Sequence, residues 1–123
     1  MFFDTNKLAY CASFMDGEGY IEWTIRPKKN GRNKKYLTHV YRMEICNTDI
    51  DLIKSLYNDF GKEGSLFKIK PRSKKHQPQL RWGMSHQKLY RLLKLILPFM
   101  REKRKINKEK EIVKWVENRN MTQ

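Results

Sequence analysis

Two stretches of strict alternation constrain the first half of this chain more than anything else in it. From Tyr20 to Arg26, Ile21, Trp23 and Ile25 fall on one side while Glu22, Thr24 and Arg26 fall on the other. From Tyr36 to Cys46, His39, Tyr41, Met43 and Ile45 alternate with Thr38, Val40, Arg42 and Glu44. A period of two marks a strand with one buried face and one wet face, because successive side chains leave a pleated backbone on opposite sides. Pro27 removes a backbone donor and is expected to end regular pairing, and Asn30-Gly31 marks a turn in the lysine-rich loop between the strands.

Helical signals bracket this pair. Asp4 or Thr5 can cap a helix over Asn6 to Met15, with Gly17 stopping it. Asn47, Thr48 or Asp49 can cap a second helix carrying Ile50, Ile53, Leu56, Tyr57 and Phe60, closed by Gly61. A second strand pair follows. Over Leu66 to Lys70, Phe67 and Ile69 oppose Lys68 and Lys70; over Gln79 to Met84, Leu80, Trp82 and Met84 oppose Gln79 and Arg81. The last helices span Gln87 to Leu97, interrupted by Pro98, and Arg101 to Asn118, the latter burying Ile106, Ile112, Val113 and Val116. The order αββαββαα predicts one α+β domain over residues 1–123, an antiparallel sheet with helices on one face. The open face would carry Thr24, Arg26, Thr38, Arg42, Lys68, Lys70 and Arg81, and Glu22, Lys28, Glu44, Arg72 and Gln79 are further candidate binding residues.

The formal net charge of +14 is concentrated in 26-RPKKNGRNKK-35, 68-KIKPRSKK-75 and 101-REKRKINKEK-110. Three basic blocks on so short a chain point to a polyanionic partner. A membrane surface fits poorly, since two of the blocks fall in strands and hairpin loops, and no apolar run approaches the roughly 18 residues of a membrane span. Cys11 and Cys46 do not make a disulfide framework, and no Cys/His cluster has zinc spacing. With no secretory leader in MFFDTNK, an intracellular protein with reduced thiols is expected, in a bacterial cytoplasm or an organelle. His39, His76 and His86 lack the paired spacing of a His-based nuclease, and Trp23, Tyr41, Trp82 and Trp115 fall on packing faces.

Between the first helix and strand, 16-DGEG-19 alternates two carboxylates with two glycines. Read as a turn, Asp16 accepts local backbone N–H bonds and the glycines supply positive φ. Read as a metal corner, a carboxylate in a strongly cationic chain attracts a hard divalent cation. The preceding helix carries small residues at Ala9, Ala12, Ser13 and Asp16, a spacing at which a second copy of the helix could pack closely.

The segment 11-CASFMDGEG-19, preceded by 8-LAY-10, resembles the signature of the LAGLIDADG homing endonucleases in its Asp-Gly-Glu-Gly variant. The resemblance extends over nearly the whole chain, through the αββαββα order, an extra C-terminal helix and 98-PF-99 followed by Lys103. A single motif copy is similar to the homodimeric branch. The resemblance implies a saddle-shaped sheet on double-stranded DNA and Mg²⁺ (or Mn²⁺) held by Glu18 and the Gly17 carbonyl. It further implies a structural role for Asp16 and Gly19 at the helix end, a water-positioning role for Asn47 and a scissile-phosphate role for Lys103. Ser13 stands where the motif usually has glycine. The alternative readings are a maturase acting on intron RNA, or a binding protein without catalysis on the same fold.

Overall fold

The computed structural model describes residues 4–29, 31–32 and 35–121. Helix α1 (Thr5–Glu18) leads into β1 (Gly19–Lys29) and β2 (Lys35–Asn47); α2 (Ile50–Asp59) leads into β3 (Ser65–Ile69) and β4 (Gln79–Ser85). Then come α3 (His86–Ile96), a 3₁₀ turn at Leu97–Phe99, and α4 (Lys103–Met121). The element order is the αββαββαα of the sequence reading. All strand pairs are antiparallel, in the spatial order β1-β2-β4-β3. Asn30 of the expected turn lies outside the described residues. Among those described, no helix is long and apolar enough to cross a membrane.

Local chemistry explains the elements. Asp4 caps α1 by accepting the Asn6 N–H at 2.8 Å, and Asp49 caps α2 through Leu52 N–H at 3.1 Å. Pairing between β1 and β2 does not end at Pro27 but runs on to Lys29 opposite Lys35. β1 is an edge strand, where a residue without an N–H is tolerated.

The buried face of the sheet supplies Tyr41, Met43, Ile45, Leu80, Trp82 and Met84. Against it pack Cys11, Ala12 and Met15 of α1, Ile53 and Leu56 of α2, Leu89, Leu93 and Ile96 of α3, and Ile112 and Val116 of α4. Trp82 is fully buried, is stacked on Phe60 and donates its indole N–H to the Glu63 carbonyl at 2.9 Å. That closes the α2–β3 connection, where Gly64 (φ +93°) lies so close to the Gly83 carbonyl that a side chain would collide with it. Beneath the β1–β2 hairpin, Trp115 of α4 packs on His39, whose Nδ1 accepts from Trp23 Nε1 at 3.2 Å. His39 is thus a packing residue.

One register differs from expectation. Leu66 lies opposite Trp82 and Lys68 opposite Leu80, so both belong to the helix-covered side, while Phe67 faces outward beside Arg81, 58% exposed. Lys68 is therefore not on the open face, and Lys70 lies beyond the end of β3. Both Leu66/Lys68 and Phe67/Ile69 are consistent with alternation. Pairing with the buried Trp82 decides between them, since shifting a strand by one residue exchanges its faces.

Candidate active site and nucleic-acid interface

The acidic corner is a helix end continued directly into a strand, not a turn. α1 runs through Asp16 and Gly17 to Glu18, and Gly19 is already extended (φ −76°, ψ 146°) and paired with Ile45. Gly17 neither stops the helix nor adopts positive φ; it sits inside it, with open space around its Cα. Gly19 is needed for room. A Cβ there would strike the Met15 sulfur and lie 2.7 Å from the Met15 carbonyl oxygen and 2.8 Å from its Cα.

Asp16 does not close a local turn either. Its carboxylate accepts the backbone N–H of Arg101 (2.9 and 3.1 Å) and of Glu102 (2.9 Å), where the chain enters α4. In return Lys105 sends its ammonium to the carbonyls of Met15 (2.8 Å), which also accepts the Gly19 N–H, and Asp16 (2.7 Å), at the end of the helix. Carboxylate at one helix start and lysine at another helix end match both dipoles. Glu102 adds a side-chain cap, accepting from Lys105 N–H. Asp16→Ala is expected to lower stability by about 1–3 kcal/mol, because it leaves two N–H groups without their charged acceptor. Urea unfolding at neutral pH measures this.

Glu18 remains, exposed at the end of α1. Its Oε2 accepts from Asn47 Nδ2 at 2.8 Å. Asn47 Oδ1 accepts the Asp49 N–H at 2.8 Å, so the amide has its donor toward the carboxylate and its acceptor toward the backbone, the one orientation that satisfies both. Asn47 thus links Glu18 to the start of α2, although the capping side chain of that helix is Asp49. Lys103, first residue of α4, is exposed just past the turn held by Asp16. Lys105, not Lys103, is the lysine bonded to the end of α1.

The donor set suits a hard, oxygen-seeking cation. Among the described residues, Asn47 engages Oε2 of Glu18 and leaves Oε1 open, and Lys105 binds the carbonyls before Gly17 rather than that of Gly17. Among the described residues no three His, Cys, Asp or Glu side chains stand together as a metal cluster. One chain offers a carboxylate and a carbonyl, which fits a largely hydrated Mg²⁺ better than a caged ion. Of the two free thiols, Cys11 is buried in the core, where burial pushes it up to about 12, and Cys46 lies half-buried on the strand before Asn47.

The small-residue stripe is not the open side of α1. Ala12 is 0% exposed in the core and Asp16 is bonded to α4. Ala9 is half-buried, and Ser13 turns its hydroxyl back onto the Ala9 carbonyl at 3.0 Å. The exposed side is Asn6, Tyr10, Ser13 and Gly17, with Tyr10 edge-on to Phe14. Small residues fit a tight core contact as well as a helix crossing, and here Cys11, Ala12 and Met15 face the core.

On the open sheet face the register aligns Glu22 with Arg42, Thr24 with Val40, Arg26 with Thr38, and Lys28 with Tyr36. Glu44 stands opposite Gly83 and Cys46 opposite Arg81, with Gln79 on the same side. Arg72 lines a groove at the sheet edge with Lys70, Gln79, Arg81 and Cys46. The arginines are tied by carboxylates. Glu22 accepts from Arg26 (3.0 Å) and Arg42 (2.6 Å); Glu44 accepts from Arg42 (3.2 Å) and Arg81 (3.4 Å). The Arg42 hydrogen bond holds the Glu22 carboxyl below its ordinary range, against the opposing effect of desolvation.

Sequence reasoning missed Lys105 and Glu109, which with Ile112 and Val116 follow a 4-3-4 spacing along α4. Extending that apolar stripe backwards would have found both. It also missed Tyr20, Tyr36 and Phe67, exposed aromatics on the open face.

These elements in this strand order recur in solved structures of homing endonucleases. Among solved structures, the homing endonuclease I-CvuI, bound to a DNA target in 2 mM Mg with the DNA not cleaved, superposes with a TM-score of 0.66 at 15% identity, over 89% of this chain and 64% of its own. The archaeal intron-encoded homing endonuclease I-Vdi141I, complexed with DNA, gives 0.62 at 19% identity, over 92% and 70%. The LAGLIDADG homing endonuclease I-LtrWI, bound to target DNA, gives 0.52 at 17% identity, over 78% and 30%. The chain therefore spans just under two thirds of the I-CvuI chain. No family model and no curated protein matches the sequence.

Proposed function

We propose that this chain is a site-specific double-strand DNA endonuclease of the single-motif LAGLIDADG type, acting as a homodimer with a divalent metal on a long pseudo-palindromic site. The observation that carries the reading is Glu18, an exposed carboxylate at the end of α1, held by Asn47 and set in a strongly basic chain. Glu18 and the Gly17 carbonyl would hold Mg²⁺, which supplies charge neutralisation at the phosphate and a more acidic water when bound. Asn47 orients the carboxylate and keeps one of its oxygens engaged. Lys103 adds positive charge near the corner to stabilise charge developing on the phosphate. Asp16, Lys105 and Glu102 fix the angle between α1 and α4, which sets where Lys103 stands relative to Glu18.

A homodimer places two such corners on one duplex, and the open sheet faces hold it by phosphate and base-edge contacts. The experiment is a selection: the purified protein is incubated in Mg²⁺ with a pool of randomised duplexes, and cut ends are recovered and sequenced. Sedimentation alongside determines whether the DNA-bound species contains two chains. A recurring long site with twofold symmetry supports the proposal. Uncut DNA throughout, or a monomer on RNA only, rejects it.

A further inference from the structure

The open face carries an unbroken series of ion pairs, Arg26–Glu22–Arg42–Glu44–Arg81, crossing β1, β2 and β4. The carboxylates are largely covered while the arginines stay open to solvent, and ion pairs with so exposed a partner contribute only about 1 kcal/mol each to stability. Carboxylates on a face meant for a polyanion also weaken backbone attraction. Their arrangement gives a reason for their presence. Arg42, on an interior strand, is the one arginine of the series with two carboxylate partners, Glu22 on Nε and Glu44 on Nη1. It is still 41% exposed, while Glu22, beneath it, is only 11% exposed. Hydrogens remain on Nη1 and Nη2, the kind of donor pair that meets O6 and N7 of guanine in the major groove.

We infer that Arg42 is a specificity-determining residue that reads a guanine in each half-site, with Glu22 and Glu44 as positioning residues that hold its guanidinium and repel the phosphate backbone. This inference rests on the DNA reading above. Two effects follow from one geometry. Pre-ordering the fork lowers the entropy cost of a base contact. The carboxylates penalise the competing pose in which the arginines lie along phosphates, and specificity is the difference between these two affinities.

The test measures binding to the duplex recovered from the selection, to each of its single-base-pair variants and to unrelated duplex, in Ca²⁺ over a series of salt concentrations. For Arg42→Lys, which keeps the charge but loses the fork, discrimination should fall roughly 10- to 100-fold at one G·C pair per half-site and hold elsewhere. For Glu22→Gln, binding to unrelated DNA should tighten and its logarithmic salt slope steepen by about 1, as an arginine is released to a phosphate. Uniform loss across all variants with Arg42→Lys, or no change in unrelated binding with Glu22→Gln, overturns the inference while leaving the nuclease reading intact. Failure of the unaltered protein to hold any duplex overturns both.

Discussion

Glu18→Gln is expected to reduce DNA cleavage by on the order of 1,000-fold or more while leaving target binding within a few fold. The amide has nearly the shape of the carboxylate, so packing at the end of α1 is preserved. What it loses is the negative charge, and with it the acidic oxygen that a hard cation prefers. The loss should fall on the rate of cleavage, since the strand residues that would contact DNA are untouched. Asn47→Ala should give a smaller loss than Glu18→Gln. It frees the carboxylate from its hydrogen bond and removes the link to Asp49, but keeps the charge. Single-turnover cleavage and filter binding on the selected duplex separate the two effects. Equal loss of binding and cutting in Glu18→Gln would mean that Glu18 supports the fold or the DNA contact rather than the chemistry.

The second large effect concerns Glu109. It lies on the inner stripe of α4, 0% exposed, and neither carboxylate oxygen has a hydrogen-bond partner among the described residues. Burial first, then the nearby charge of Asp16, pushes its carboxyl up to about 8, with Lys105 pulling the other way. In the unfolded chain the same group releases its proton near 4.5. Between these values the folded chain holds a proton that the unfolded chain has lost, so stability falls as pH rises from about 4.5 to about 8 and then levels. Glu109→Gln should remove this dependence. The variant should match the unaltered protein near pH 4 and exceed it by on the order of 4 kcal/mol at pH 9. Thermal or urea unfolding across that range checks it. A variant that is less stable at every pH would show that the carboxylate has partners that a neutral amide cannot replace.

The architecture was legible because its periodicities are clean. Strands β1, β2 and β4 alternate without ambiguity, and Asp4, Asp49, Pro98 and Gly61 punctuate the helices. What escaped depended on pairwise contacts. In β3, Leu66 and Phe67 compete for the core, and only the register against Trp82 decides. Gly17 reads as a stop, yet a helix can accommodate a glycine at a cost of about 1 kcal/mol, and the chain turns extended only at Gly19, where Met15 leaves no room for a side chain. The α4 residues that meet the acidic corner, Lys105 and Glu109, sit among other charges and differ only in facing inward. For Asp16 the resemblance implies a structural role at the helix end, but its partners, the backbone N–H groups of Arg101 and Glu102, lie too far along the chain for any local pattern to show.

The resemblance points to Glu18 and Asn47, and the structure brings them together at 2.8 Å. Their separation in sequence explains why no spacing rule could have paired them. β1 and β2 run antiparallel, which returns the end of β2 to the place where β1 began. Lys103 stands at the neighbouring helix start, placed there by the Asp16 clamp.

Mapping cut ends on each strand of the selected duplex, with Mg²⁺ and with chelator, tests the central claim most directly. The expected result is one cut per strand, at positions related by the twofold axis of the site and offset to leave short 3′ overhangs, seen only with the metal. Specific binding with both strands intact in Mg²⁺, or cutting undiminished by chelator, would contradict it.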